Sequence, residues 1–252
     1  MSYEAFASYY DGLMQNVGYE KRAEYFCSLA ERVGHTPGLA LDLACGTGSL
    51  TLALARRGWD IYGVDASPAM LSVAQEKAAQ EGMSLLFLCQ PMQKLDLYGT
   101  VNTVICTLDS LNHLTEEEEL AETFRRVSLF LEPGGWFFFD TNTIYKHREI
   151  LKDHVFVFDT DEVYCVWQNQ YDPAGEKEQV EITLDFFEKQ GDRYLRSREQ
   201  FYERAYPTAT LCRLLQEAGL EPVHRFEDLT FDPPAADSQR MVYAARKHQK
   251  EE

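Results

Sequence analysis

The chain has 252 residues and a formal net charge of −17, which disfavours a nucleic-acid backbone as its main partner. Its length fits one large domain, or one domain carrying an inserted lobe, and its 45% apolar content is ordinary for a globular protein. Residues Met1 to Tyr10 are polar and aromatic rather than leader-like, no apolar stretch is long enough to span a bilayer, and Cys27, Cys45, Cys89, Cys106, Cys165 and Cys212 form no Cys-x-x-Cys pair; the expectations are therefore no metal, no nucleic acid, no membrane and a reduced cytoplasmic setting.

Along the chain, Phe6, Tyr9, Tyr10 and Leu13 recur at helical spacing, and Tyr19 to Arg32 forms a second helical stretch with Phe26, Leu29 and Val33 on its apolar side. An aromatic stripe of this kind is usually core or docking surface; the alternative is a lid, residues 1–36, over a ligand. Leu39 to Leu43 reads as a buried parallel strand. Gly46-Thr47-Gly48 breaks it, and a helical pattern follows from Ser49 to Arg57. A strand ending in a glycine turn that opens a helix suits a nucleotide-like ligand, because glycine lets the ligand approach the backbone and the helix start offers free N–H groups. A dinucleotide fingerprint needs a third glycine where Thr51 stands, and no lysine follows as in a Walker A loop. The carboxylate of Asp42 instead suits a ligand with a positive group near the turn.

Trp59 to Val64 is the second strand, ending at Asp65, with Ser67 as N-cap and Pro68 in the first turn of a helix reaching Gln80. An acid at the end of the second strand can grip both hydroxyls of a ribose. Nicotinamide enzymes share that device, and a helix N-terminal charge is the plainer alternative. Ser84 to Cys89 is the third strand, and Asn102 to Cys106 the fourth, opening into Thr107 to Leu114. Ligands in such sheets lie at the C-terminal strand ends, so this turn should face the reacting group. Thr115 should cap a helix that starts at Glu116 to Glu119 and ends near Leu131, before Pro133-Gly134-Gly135 and a fifth strand, Trp136 to Asp140. Asp140, Thr141 and Asn142 would then border the pocket.

From Val155 to Tyr206 the pattern alternates as four strands separated by turns at Asp159 to Asp161, Asp172 to Gly175 and Gln190 to Asp192. Arg196, Arg198 and Arg204 share a phase there, which reads as solvated cross-strand pairing or, less simply, as an anion site. Thr208 should cap a helix from Thr210 to Ala218 that stops at Gly219. Glu221 to Phe231 and Arg240 to Ala245 are the last strands, and Arg246 to Glu252 a frayed charged tail.

The strings Leu39 to Thr51 and Gly63 to Leu71 resemble motifs I and II of the class I S-adenosylmethionine (SAM) dependent methyltransferases, and the resemblance extends over nearly the whole chain. It implies an α/β fold: a Rossmann-like seven-stranded sheet with helices on both faces, plus an inserted antiparallel β lobe. Residues 1–150 and 207–252 would form the SAM-binding domain, and 151–206 the lobe over the acceptor site. The resemblance also implies that Asp42 faces the ammonium of the methionine moiety, that Ala44, Cys45, Gly46, Thr47 and Gly48 lie along the cofactor, and that Asp65 holds the ribose. Ala66 and Met70 would line the adenine, with Gln90, Pro91 and Met92 at its edge, although relatives carry an Asp at the position of Pro91. Tyr10, Tyr19 and Arg22 are implied at the carboxylate end of SAM, Arg22 standing where relatives often have tryptophan. The string Asp109 to Leu114 resembles a bacterial subgroup, with Leu108 and Asp109 on the cofactor side and Asn112 and His113 on the acceptor side, where His113 could take a proton. The implied activity is in-line methyl transfer from SAM to a small-molecule acceptor. The competing expectations are a SAM-binding assembly or regulatory factor without turnover, and a nicotinamide enzyme.

Overall fold

Strands that are apolar on both faces must be covered on both faces, and the chain does this with two helical layers. The computed structural model describes residues 4–14, 17–161, 163–173, 175 and 177–249. Helices α1 (Glu4–Leu13) and α2 (Tyr19–Arg32) lead into β1 (Leu39–Leu43), α3 (Ser49–Arg56), β2 (Asp60–Asp65), α4 (Pro68–Gln80), β3 (Phe87–Cys89), β4 (Val101–Cys106), α5 (Glu117–Phe130) and β5 (Leu131–Asn142). After a π-helical turn, Lys146–Leu151, come β6 (Val155–Asp159), β7 (Val163–Tyr171), β8 (Gln179–Gln190) and β9 (Arg193–Arg204). The chain returns through α6 (Thr208–Glu217), β10 (Leu220–Glu227) and β11 (Arg240–Lys247).

The seven-stranded sheet has the order β10-β11-β5-β4-β1-β2-β3, with β11 antiparallel to both its neighbours. Alternation along β5 shows how the layers are divided. Phe137 and Phe139 pack with α5 and α6 through Phe124, Val127, Leu211 and Leu215. Trp136 and Phe138 pack with α2 and α3 through Phe26, Leu29, Leu50 and Leu54. Strands β6 to β9 form a separate antiparallel meander. Its buried face (Val163, Cys165, Val180, Ile182, Leu184, Phe186) joins Ala7 and Leu13 of α1 and Met70 of α4 in a core of its own.

Packing is tight where β2 passes the glycine turn. A Cβ on Gly63 would lie 2.6 Å from Cys45 Sγ and 2.7 Å from Phe87 Cδ1. Gly63→Ala is expected to destabilise the fold by about 1–3 kcal/mol through overpacking, read as a lower urea midpoint at unchanged slope.

Several local expectations are corrected. Glu116, not Thr115, occupies the N-cap of α5, because its carbonyl accepts the first helical bond, from the Leu120 N–H at 3.2 Å, while the Thr115 carbonyl accepts from Arg204 Nη1 at 3.0 Å. Thr208 is the first residue of α6 rather than its cap, Pro207 holding that place. Arg246 and Lys247 are not frayed, since both continue β11; residues 250–252 of the expected tail lie outside the described residues, as do the side chain of Phe6 and residue 174 of the expected turn. Arg196 and Arg198 both pair with Asp185 across the sheet, whereas Arg204 stacks over Tyr206. Among the described residues no helix is long and apolar enough to cross a membrane.

Candidate active site

A cavity of about 460 Å³ opens where the C-terminal ends of β1, β2, β4 and β5 face α1 and the β6–β9 sheet. Three of its wall residues, Ala44 (φ 62°), Leu108 (φ 57°) and Asp109 (φ 57°), are non-glycine residues in the left-handed region. Such conformations persist only where surrounding contacts hold them, and they concentrate at functional sites.

One end is built by β1, β2 and the turn between β1 and α3. Asp42 is 2% exposed and accepts from Thr51 Oγ1 at 2.6 Å. Burial pushes its carboxyl up to about 7, against the hydrogen bond from Thr51. Asp65 accepts from the Gly46 N–H at 2.8 Å on one oxygen and from the Ser67 N–H at 2.8 Å on the other. Burial raises it too, opposed by those backbone donors. Neither carboxylate faces a cationic side chain among the described residues. Gly46 has φ 54°, and a Cβ there would meet no protein atom within 4 Å, so the wall lies open to a ligand at that point. Helix α1 is tied over this end by Asp11, which accepts from Thr47 Oγ1 (2.8 Å), Ser49 Oγ (3.0 Å) and Lys77 Nζ (2.6 Å).

The floor is a buried charge network. Asp140, at the end of β5, accepts from the Leu108 and Asp109 N–H groups at 3.0 and 2.9 Å and pairs with Arg240 and Arg22. Arg22 also bridges to Asp228. Arg240 reaches Asp109 at 3.2 Å. Burial would raise Asp109, but the charges of Arg240 and Lys146 outweigh it and hold this carboxyl well below its ordinary range.

The other end is closed by the four-stranded sheet, with Phe156, Phe158, Trp167, Ile182, Phe201 and Glu203 on the wall. Glu203 accepts from Asn142 Nδ2 at 3.1 Å, and His113 and His147 flank it at 3.9 and 3.8 Å. Burial and Asp109 push Glu203 up to about 8. Burial also lowers both histidines, His147 to about 4. His113 packs on Phe201 with ring centroids 5.2 Å apart.

Of the residues singled out in the sequence, Tyr10, Tyr19, Asp42, Ala44, Cys45, Gly46, Thr47, Asp65, Ala66, Met70, Gln90, Met92, Leu108, Asp109 and His113 line this one cavity. Four do not. Arg22 is turned into the protein toward Asp140 and Asp228. Gly48 serves packing, since at φ 72° a Cβ would lie 2.9 Å from that of Ala74. Pro91 is off the wall, as N-cap of a short 3-10 turn. Asn112 is a buried staple: its amide accepts from the Asn142 N–H at 2.9 Å and donates to the Arg204 carbonyl at 2.9 Å. Gln90 lines the cavity, but its side-chain amide is engaged by the backbone of Asp96 at both ends. The sequence reading missed Lys146, Arg240 and Glu203. Glu203 had a signal, a charged residue in the same strand phase as buried Phe201.

Residues 40–135 match a family model described as "Methyltransferase domain". The chain is 34% identical over 251 residues to "Putative methyltransferase YqeM" of Bacillus subtilis (strain 168), covering 98% of each chain. Among solved structures it is similar to an S-adenosylmethionine-dependent methyltransferase from Clostridium acetobutylicum ATCC 824, at 30% identity and a TM-score of 0.86 over 98% of this chain and 99% of that one. The fold also matches SAM-bound CalS10, an amino pentose methyltransferase from Micromonospora echinaspora, at 17% identity and a TM-score of 0.74 over 94% and 96% of the two chains.

Proposed function

Because the chain belongs to the class I SAM-dependent methyltransferases, we propose that this enzyme moves the methyl group of SAM to a small-molecule acceptor held at the β-sheet end of the cavity. The observation that carries the reading is the division of one cavity into two unlike ends. Two carboxylates that face no cationic side chain among the described residues, beside an open glycine turn, suit a cation and a vicinal diol. The opposite end is aromatic and closed by its own sheet.

SAM supplies a methyl already activated by its sulfonium. Asp42 faces the positive amino end, directly or through water, and Asp65 takes the ribose hydroxyls on the lone pairs its backbone donors leave free. Ala66 and Met70 flank the base, with Gln90 and Met92 at its edge. Leu108 and Asp109, fixed by Asp140, form the turn beside the reacting centre. The aromatic wall excludes water and limits the approach of the acceptor to one direction. His113, kept neutral by burial, has a buried Nδ1 without a hydrogen-bond partner and is placed to take or relay a proton. Incubation with methyl-labelled SAM and a fractionated small-molecule extract tests the reading. Label in a low-mass product is expected; label only in protein or RNA, or none at all, would overturn it.

Asp42 also predicts a pH dependence. Its folded pKa lies above its ordinary 3.8, so its proton favours the folded state, and that contribution is lost as pH rises from about 4 to about 7. A cation beside it needs the ionised form. The Kd for SAM should therefore rise below about pH 7, by up to about tenfold per unit. Calorimetry from pH 5.5 to 7.5 reads this slope, and Asp42→Asn should flatten it.

A further inference from the structure

The acceptor end of the cavity holds a carboxyl that the mechanism above does not use. We propose that the acceptor is a small amine presented as its ammonium, that Glu203 is the carboxylate that receives its proton, and that Phe158, Trp167 and Phe201 hold its carbon skeleton. The inference rests on the methyltransferase reading of the cavity and names the substrate class for it.

The hydrogen bonds around Glu203 bear on its protonation. His147 Nδ1 lies 3.0 Å from the Glu178 carbonyl, which can only accept, so Nδ1 carries the hydrogen. Burial keeps His147 neutral, so its Nε2 is a bare lone pair, and it has no hydrogen-bond partner in the structure. That lone pair faces Glu203 Oε2 at 3.8 Å. An ionised Glu203 would set a negative oxygen toward that lone pair, which together with burial favours the protonated form in the free enzyme.

Around the cavity floor Asp140 pairs with Arg22 and Arg240, Asp109 with Arg240, and the part-exposed Asp228 with Arg22. Glu203 is the carboxyl there that meets no cationic group at hydrogen-bond distance, its neighbours being the Asn142 amide and two imidazoles that burial keeps neutral. The groups that face it are Asp109, which raises it, Lys146 and Arg240, which lower it, the amide of Asn142 and the two imidazoles. An ammonium entering the cavity brings a cation to hydrogen-bond reach of Glu203 and allows it to ionise.

The indole N–H of Trp167 is spent on Asn169 Oδ1 at 2.7 Å, so its ring is what it can offer a ligand, and Phe158 lies against it with centroids 6.4 Å apart. Aromatic faces favour a cation and an apolar skeleton over an anion. A carboxyl raised toward the range of an alkylamine is also matched to exchange a proton with it.

The cycle balances. Binding of R–NH3+ releases the Glu203 proton to solvent. The ammonium then passes one proton to Glu203, and the freed nitrogen lone pair forms the N–CH3 bond while the S–CH3 bond breaks with its electrons left on sulfur. The methylated ammonium and the thioether depart, and Glu203 is protonated again, as in the free enzyme. The single proton of the overall reaction is the one released on binding.

Calorimetry on the S-adenosylhomocysteine-loaded enzyme at pH 7, in two buffers of different ionisation enthalpy, tests this with benzylamine and 2-phenylethylamine against benzyl alcohol and 2-phenylethanol. The expected result is an amine preference of at least about tenfold and release of close to one proton per amine bound. Glu203→Gln should lose both while keeping its affinity for S-adenosylhomocysteine. Alcohols binding as well as amines, no proton release, or a variant that behaves as wild type would overturn the amine assignment. The wild-type proton count stands even if the variant does not fold. Failure to bind S-adenosylhomocysteine at all would overturn the parent reading too, whereas binding it without preferring amines sinks the substrate class alone.

Discussion

Asp65→Ala is expected to weaken SAM binding by at least about 100-fold while leaving a folded protein. Its carboxylate holds the Gly46 and Ser67 N–H groups, one on each oxygen, and so fixes the glycine turn against the start of α4. In the proposed complex the same oxygens take the ribose hydroxyls. Hydrogen bonds to a charged group contribute about 1.5–3 kcal/mol each, and two of them amount to at least about two powers of ten in Kd. Calorimetry on the variant, with circular dichroism to check the fold, measures the loss. Asp65→Asn keeps one acceptor oxygen and should fall between the two. Wild-type affinity in the alanine variant would show that the ligand does not use this strand end.

Asp140→Ala should produce the largest loss of stability, about 3–5 kcal/mol, the range for removing one member of a buried ion network. Asp140 is fully buried and meets Arg22 and Arg240 with its two oxygens. The same oxygens satisfy the N–H groups of Leu108 and Asp109, both at positive φ. Removing it leaves two arginines short of a partner and frees a strained turn on the cavity wall. Asp228→Asn gives the contrast: Asp228 is 28% exposed, so its loss should cost only about 1 kcal/mol. Urea unfolding of both variants distinguishes them, and equal losses would show that the network is not what holds the turn.

What could be read from the sequence was local. The apolar run ending in Gly46-Thr47-Gly48, the Ser67 cap and Pro68 at the start of α4, and the alternation from Val155 onward depend on neighbours within a few residues, and each took the expected form. The misreadings depended on partners far away. Arg22 sits one turn after Tyr19, which lines the cavity, but its direction is set by Asp140 and Asp228, 118 and 206 residues on. Asn112 looked like an acceptor-side polar group until Asn142 and Arg204 engaged both ends of its amide. Lys146 lies in a π-helical turn with no periodic signature in its sequence, held in place by the bond from His147 to Glu178. Arg240 opens an ordinary-looking strand, and only the sheet order brings it beside Asp140.

The central claim is that the two carboxylates and the glycine turn receive a sulfonium nucleoside. A crystal structure of the enzyme soaked with SAM tests it most directly. The ribose is expected on Asp65, the amino end near Asp42 and the methyl directed toward the Trp167 and Glu203 end of the cavity. SAM bound elsewhere, or a nicotinamide dinucleotide taken up in its place, would contradict it.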